Sequence, residues 1–321
     1  MHILLVTKDK GSFNFVEPGY RELIKRGHRV RIVAEGLSAD LWPKTGAEIV
    51  PDGKELLHDV IVVGTSAPAN LEQVYADFAN VSGIPLVLAE DSFGASSRID
   101  GDAKLILTIN DIAGNLIAKG RHKDTPWKAV GSPAVATTGT TPELDVEYRA
   151  LSGGLTRMVI LYAGQGGPFT ADILNKTLEL VRSSQLPCTL VIKHHPKAHV
   201  EVNEEMLRGA FVMESSFGTD ELARIADYTI SCFGTALNIA AANCKAPVCV
   251  WTPATERAFR EQTGLEQHPL FEPGMVAIAT SETRNIVDLI WSDNVLRATG
   301  RTELSRKIDP SAFADAIESI V

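Results

Sequence analysis

The sequence predicts an α/β protein made of two tandem Rossmann-like halves, each a parallel sheet flanked by helices. Three observations carry that expectation. Short apolar runs of strand length alternate with longer segments of helical period, and repeated βα units of this kind imply parallel sheets. The alternation lapses once, between residues 131 and about 154, where Gly-Ser-Pro, Ala-Thr-Thr-Gly-Thr-Thr-Pro and Ser-Gly-Gly take over. With 321 residues the chain is long enough for two separate cores.

In the first half, residues 3–7 read as a strand, 18–25 as a helix with Pro18 in its first turn, and 28–34 as a second strand. A short helix is expected at 37–45 and a short strand at 47–50. Residues 59–64 form the next clear strand, followed by a helix at 69–82 and a strand at 85–89. A strand at 104–108, a helix at 112–119 closed by Gly120, and a strand at 127–130 complete this half. Domain limits follow: a first domain at 1–140, a linker at 141–156, a second domain at 157–308 and a C-terminal helix at 309–321.

The second half repeats the plan. A strand at 158–163 opens into Gly164-Gln165-Gly166-Gly167, and a helix follows at 171–183 with Leu174, Leu178 and Val181 on one side. The strand that begins at Thr189 ends in Lys193-His194-His195-Pro196. Pro196 donates no ladder hydrogen bond and holds His195 extended, so the sheet gives way to a loop there. A short strand at 210–213, a helix at 220–226 and a strand at 228–232 come next. The pattern closes with a helix at 234–243, a strand at 247–251, a helix at 255–264, a strand at 276–279 and helices at 282–291 and 310–320.

Composition excludes several classes of function. The net charge of −9 argues against nucleic acid as the main partner, because neutralising phosphates needs a basic surface. Charged or polar residues interrupt every apolar run well short of a membrane span, roughly 18 residues. Contact with a membrane surface stays open. The first residues run directly into a strand without the features of a secretory leader, so a cytoplasmic protein is expected. Cys188, Cys232, Cys244 and Cys249 lack the paired spacing of a zinc site and read as buried free thiols.

Ligands of open α/β sheets bind outside the carboxyl ends of the strands, and several polar motifs fall there. The Gly164-Gln165-Gly166-Gly167 turn lets backbone approach a diphosphate at a helix N-terminus, or is a plain tight turn. Lys193 and His195, two apart on one strand face, point where phosphate charge would sit. His194 and His195 face opposite ways, so sharing one metal ion is disfavoured even with His199 as a third ligand; a surface pair is the other reading. Ser231-Cys-Phe-Gly234-Thr235 ends a strand and opens a helix, which suits either phosphate donation or simple N-capping. In the first half, Glu90-Asp91 and Thr65-Ser66 end strands. Lys8 and Lys10 flank Asp9 after the first strand, in a loop that either attracts an anion or is merely solvated.

The tandem arrangement, with a cleft between the halves, resembles the GT-B fold. The segments Asp59-Val-Ile-Val-Val-Gly-Thr-Ser66, Gly83-Ile-Pro-Leu-Val-Leu-Ala-Glu-Asp91 and Trp127-Lys-Ala-Val-Gly-Ser-Pro133 look like the first domain of bacterial surface-polysaccharide glycosyltransferases and the related nucleotide-sugar 2-epimerases. Lys193-His194-His195-Pro196 resembles the His-Pro motif of bacterial sialyltransferases. The resemblance implies a metal-independent glycosyltransferase without a cofactor, moving a sugar from a nucleotide-sugar donor to a polysaccharide or glycolipid acceptor. It implies that the 164–167 turn, Lys193, His195, Ser231, Gly234 and Thr235 hold the nucleotide, with His195 beside the departing phosphate. Asp91, then Glu90, would be the base, and Lys8, Lys10, Thr65 and Ser66 would line the acceptor site. The glutamate that grips the ribose in many relatives is missing; Asn238 occupies that helix. An epimerase or hydrolase, a polyol-phosphate transferase and a non-catalytic binding subunit remain open.

Overall fold

The structure, a computed structural model, describes residues 1–54, 57–135, 139–195, 198, 200–243, 245–271, 275–286, 289, 304 and 306–321. The chain forms two compact units. The first comprises Met1–Ala136, Gln262–Leu265 and Arg306–Val321, the second Thr137–Glu261 and Glu266–Ser305. Both are parallel-sheet α/β units, as the βα alternation predicts.

The first sheet has the order β2-β1-β3-β4-β5-β6. Its strands are β1 (His2–Thr7), β2 (Arg29–Ala34), β3 (Val60–Gly64), β4 (Leu86–Glu90), β5 (Ala103–Thr108) and β6 (Trp127–Ala129). Every pairing is parallel. Central strands of such a sheet are covered on both faces, which is why Ile3-Leu4-Leu5-Val6 and Val60-Ile61-Val62-Val63 are unbroken apolar runs and fully buried. Each such side chain contributes roughly 1.5–3 kcal/mol by leaving water.

Helix α1 (Lys10–Lys25) starts eight residues before the expected helix at 18–25. Asp9 caps it, accepting from the Ser12 amide at 2.9 Å, and Pro18 lies in its interior. Ser12, Phe15, Val16, Gly19, Tyr20 and Leu23 form a buried stripe of helical period. That burial outweighs the roughly 3 kcal/mol an interior proline costs. The remaining helices of this unit are α2 (Gly36–Leu41), α3 (Asn70–Ser82) and α4 (Asp111–Ile117). The expected strand at 47–50 reduces to a single bridge between Ile32 and Ile49.

The second sheet is ordered β11-β10-β9-β7-β8. It comprises β7 (Met158–Ala163), β8 (Cys188–Lys193), β9 (Tyr228–Ser231), β10 (Ala246–Trp251) and β11 (Ala277–Thr280), again all parallel. The expected linker at 141–156 contains helix α5 (Pro142–Leu151), capped by Thr141 and burying Leu144 and Leu151. The Tyr148 hydroxyl donates to the Asp227 carboxylate at 3.0 Å, fixing this helix to its own unit. Helices α6 (Thr170–Ser183), α7 (Glu204–Leu207), α8 (Thr219–Ile225), α9 (Thr235–Ala242) and α10 (Pro253–Thr263) follow. The expected strand at 210–213 survives as one bridge, Leu190 to Val212.

The C-terminal helix α11 (Pro310–Glu318) packs on α1 of the first unit, where Arg26 donates to Asp315 at 2.6 Å and to Glu318 at 2.9 Å. Pro196, His199, Cys244 and most of the expected helix at 282–291 lie outside the described residues. Cys188, Cys232 and Cys249 are free thiols, the last two buried. Among the described residues no helix is long and apolar enough to cross a membrane.

Candidate functional site

Each sheet has one position where the strand order reverses direction, and the crevice outside the carboxyl ends of those strands is where open α/β sheets take ligands. In the first unit the reversal falls between β1 and β3, in the second between β7 and β9.

At the first reversal the chain leaving β1 turns at Lys8 and Asp9 into α1. The Asp9 amide donates to Ser66 Oγ at 3.2 Å, and Ser66 Oγ lies 3.2 Å from Ser12 Oγ. This joins the ends of β1 and β3. From the end of β4 comes Asp91, whose Oδ1 accepts from Thr65 Oγ1 and Ser92 Oγ, each at 3.3 Å. Its Oδ2 lies over Gly11: a Cβ there would fall 2.1 Å from that oxygen and 3.4 Å from Asp9 Oδ1. Burial, reinforced by the charge of Asp9 and opposed by Arg98, pushes the Asp91 carboxyl up to about 6. Asp91 as a residue is half-buried.

Glu90, the last residue of β4, is spent on different partners. It is fully buried, accepting from the Gly94 amide at 3.3 Å and the Ser96 amide at 2.8 Å. Burial pushes its carboxyl up to about 7. Its carboxyl thus shapes the turn after β4, and that turn presents Arg98, which donates to the Thr65 carbonyl at 2.8 Å. The Lys8 ammonium donates to the Pro68 carbonyl at 3.3 Å, while Lys10 is exposed in the first turn of α1. Thr65 and Ser66 are buried, their hydroxyls bracing the loop ends. Sequence reasoning missed Asp9, Gly11, Ser12 and Arg98. The signal for the first three was an N-cap aspartate ahead of an amphipathic run, obscured by reading Pro18 as the helix start.

At the second reversal the 164–167 turn leaves β7. Thr170 Oγ1 ties it, lying 2.5 Å from the Gln165 carbonyl oxygen and 2.6 Å from that of Gly167. The Gly164 amide donates to the Lys193 carbonyl at 2.8 Å, holding the turn beside the end of β8. A Cβ on Gly166 would sit 3.1 Å from Nδ1 and Cε1 of the His195 ring, so the imidazole lies directly against bare backbone. Gln165 Oε1 accepts from the Phe233 amide at 3.3 Å, and its Nε2 lies 2.5 Å from where a Gly234 Cβ would be. The three loop ends therefore interlock through Gly166, Gln165 and Gly234.

Helix α9 follows Gly234, which provides no side-chain cap for the helix's first N–H groups. Thr235 is exposed at its first position. Two predicted contacts turn inward instead. Ser231 is fully buried and donates to the Ala163 carbonyl at 2.7 Å, and the Lys193 ammonium donates to the Ser215 carbonyl at 2.6 Å. Both brace the strand ends. The His194 ring lies edge-on to buried Tyr162 at 6.3 Å, away from the Gly166 side taken by His195. Asn238 is buried one turn into α9, its Oδ1 without a hydrogen-bond partner among the described residues.

No protein-family model matches the sequence, and no curated protein matches it. Solved structures do. The calicheamicin glycosyltransferase CalG4 superposes with a TM-score of 0.60 at 14% identity, covering 99% of this chain and 97% of its own. HepE from Anabaena, solved in complex with UDP, gives 0.60 at 13% identity over 100% and 99%. MnaA of S. aureus, also a UDP co-structure, gives 0.61 at 10% identity over 99% and 95%. At such identities the likeness establishes the fold: two parallel-sheet α/β domains of the GT-B type.

Proposed function

We propose that the protein is a glycosyltransferase using a nucleotide-sugar donor. The observation that carries this reading is the interlocked second-unit site: bare backbone at Gly166, the His195 imidazole against it, and the uncapped start of α9. Such a site offers N–H donors, partial positive charge and an ionisable ring to a diphosphate. The fold-sharing proteins CalG4, described as a glycosyltransferase, and HepE and MnaA, solved with UDP, support the choice of chemistry and of a uridine diphosphate.

In this reading the second unit binds the donor through the 164–167 turn, His195, Gly234 and Thr235, with Lys193 and Ser231 holding those loops in place. Asp91 of the first unit takes the proton of the acceptor hydroxyl. The acceptor oxygen bonds to the anomeric carbon as the carbon–oxygen bond to the phosphate breaks, and its electron pair leaves on the phosphate oxygen. His195 and the α9 N-terminus stabilise that charge. A carboxyl near pH 6 is mostly ionised at neutral pH yet a stronger base than an ordinary aspartate. Glu90 shapes the turn that carries Asp91. The acceptor is a polysaccharide or glycolipid, the reaction needs no metal or cofactor, and the enzyme works in the cytoplasm.

Thermal shift with nucleotides and product analysis with sugar donors test this. Stabilisation by UDP assigns a hexose or N-acetylhexosamine donor, and by CMP a sialyl-type donor. Donor turnover without any acceptor assigns hydrolysis or epimerisation instead, and a product that gains phosphorus assigns polyol-phosphate transfer.

A further inference from the structure

Asp91 does not stand alone at the carboxyl end of the first sheet. Its Oδ2 and Asp9 Oδ1 both lie within 3.4 Å of one point, the place a Gly11 side chain would occupy. Asp9 cannot swing away, because its carboxylate caps α1 through the Ser12 amide while its own amide is held by Ser66. We propose that Asp9 is a positioning residue for Asp91, the two carboxylates facing one another across the bare Cα of Gly11 and working as a dyad in which the charge on Asp9 makes Asp91 the stronger proton acceptor.

The N-terminus of a 16-residue helix favours negative charge beside it. One charge on the pair is therefore stabilised, while a second is repelled by the first. Asp91 is the member that takes the proton, because Asp9 is committed as acceptor to the helix cap. The groups around Asp91 are Asp9 from α1, Arg98 from the turn after β4 and adjacent Glu90; Lys8 and buried Glu72 lie on the Asp9 side. Arg98 opposes the effect of Asp9. The chemical consequence is directional. When the acceptor proton arrives on Asp91 Oδ2, the repulsion from Asp9 disappears, so the transition state is relieved where the ground state is not. Gly11 is part of the device, since any side chain would separate the two carboxylates.

This inference rests on the reading of Asp91 as the base, and its test is independent of activity. The full chain, labelled with ¹³C at the aspartate carboxyl carbons, is titrated by NMR, and the Asp91 resonance is identified by its loss in Asp91→Asn. Asparagine caps helices about as well as aspartate, so Asp9→Asn keeps α1. In the parent the Asp91 midpoint is expected near 6. In Asp9→Asn it is expected to fall by about half a pH unit or more, and Asp9→Glu is expected to restore most of the difference. An Asp91 midpoint that does not move in Asp9→Asn overturns the dyad. If the dyad titrates as expected but no nucleotide sugar is turned over, it is the reading of the function that fails.

Discussion

A methyl group added at Gly166 would sit 3.1 Å from the His195 ring, and one at Gly11 would fall on the Asp91 carboxylate. In both units a missing side chain makes room for a polar group at the end of a strand. Gly166→Val is therefore expected to weaken nucleotide binding at least about tenfold, the loss of one charge-assisted contact, while leaving the melting temperature of the free protein nearly unchanged; calorimetric titration would read it. Asp91 makes a second prediction through pH. Its folded carboxyl is held near 6, above the ordinary carboxylate range, so the folded state binds that proton more tightly than the unfolded chain. The resulting penalty is absent below about pH 3, grows as pH rises from there toward 6 and is complete above about pH 7. Asp91→Asn is expected to be more stable than the parent by on the order of 1–2 kcal/mol at pH 7.5, with the difference shrinking to near zero at about pH 3. Urea unfolding at the two pH values would check it.

Elements were legible in the sequence where burial dictated them. The strand cores at 3–7, 59–64, 158–163 and 247–251 were readable because parallel strands covered on both faces must be continuously apolar. Proline misled at α1: its ring suggested a helix start at Pro18, yet the buried stripe from Ser12 to Leu23 runs straight through it. Placing the start at Lys10 also changes the chemistry, since the expected acceptor loop becomes a capped helix N-terminus. Side-chain direction at strand ends was the other illegible feature. Nothing in Lys193 or Ser231 as letters says that their polar atoms would be spent on the Ser215 and Ala163 carbonyls. The α1–α11 pair offers a test at this scale. Gly19 lies flat beneath the Phe313 ring, where a Cβ would come within 2.2 Å, and Phe313 is fully buried. Phe313→Ala is expected to destabilise the first unit by about 3–5 kcal/mol, measured as a lower urea midpoint with little change in nucleotide affinity.

Across the whole molecule, the βα alternation made two parallel sheets predictable, but strand order came only from the structure. That order explains why the candidate residues cluster. Each sheet reverses direction beside its first strand, so within each unit the loops leaving the two strands at the reversal open at the same edge of that unit's own sheet. Residues as distant in sequence as Asp9 and Asp91, or Gly166 and Gly234, converge there. Equilibrium binding of nucleotides to the full chain tests the second of these sites most directly. UDP at a hundred times its dissociation constant is expected to stabilise the parent by roughly 2.7 kcal/mol. Asp91→Asn should retain that response, and His195→Ala should lose most of it. A panel of nucleoside mono- and diphosphates that leaves the parent's melting temperature unmoved, or a His195→Ala protein that responds to UDP as the parent does, would contradict the account.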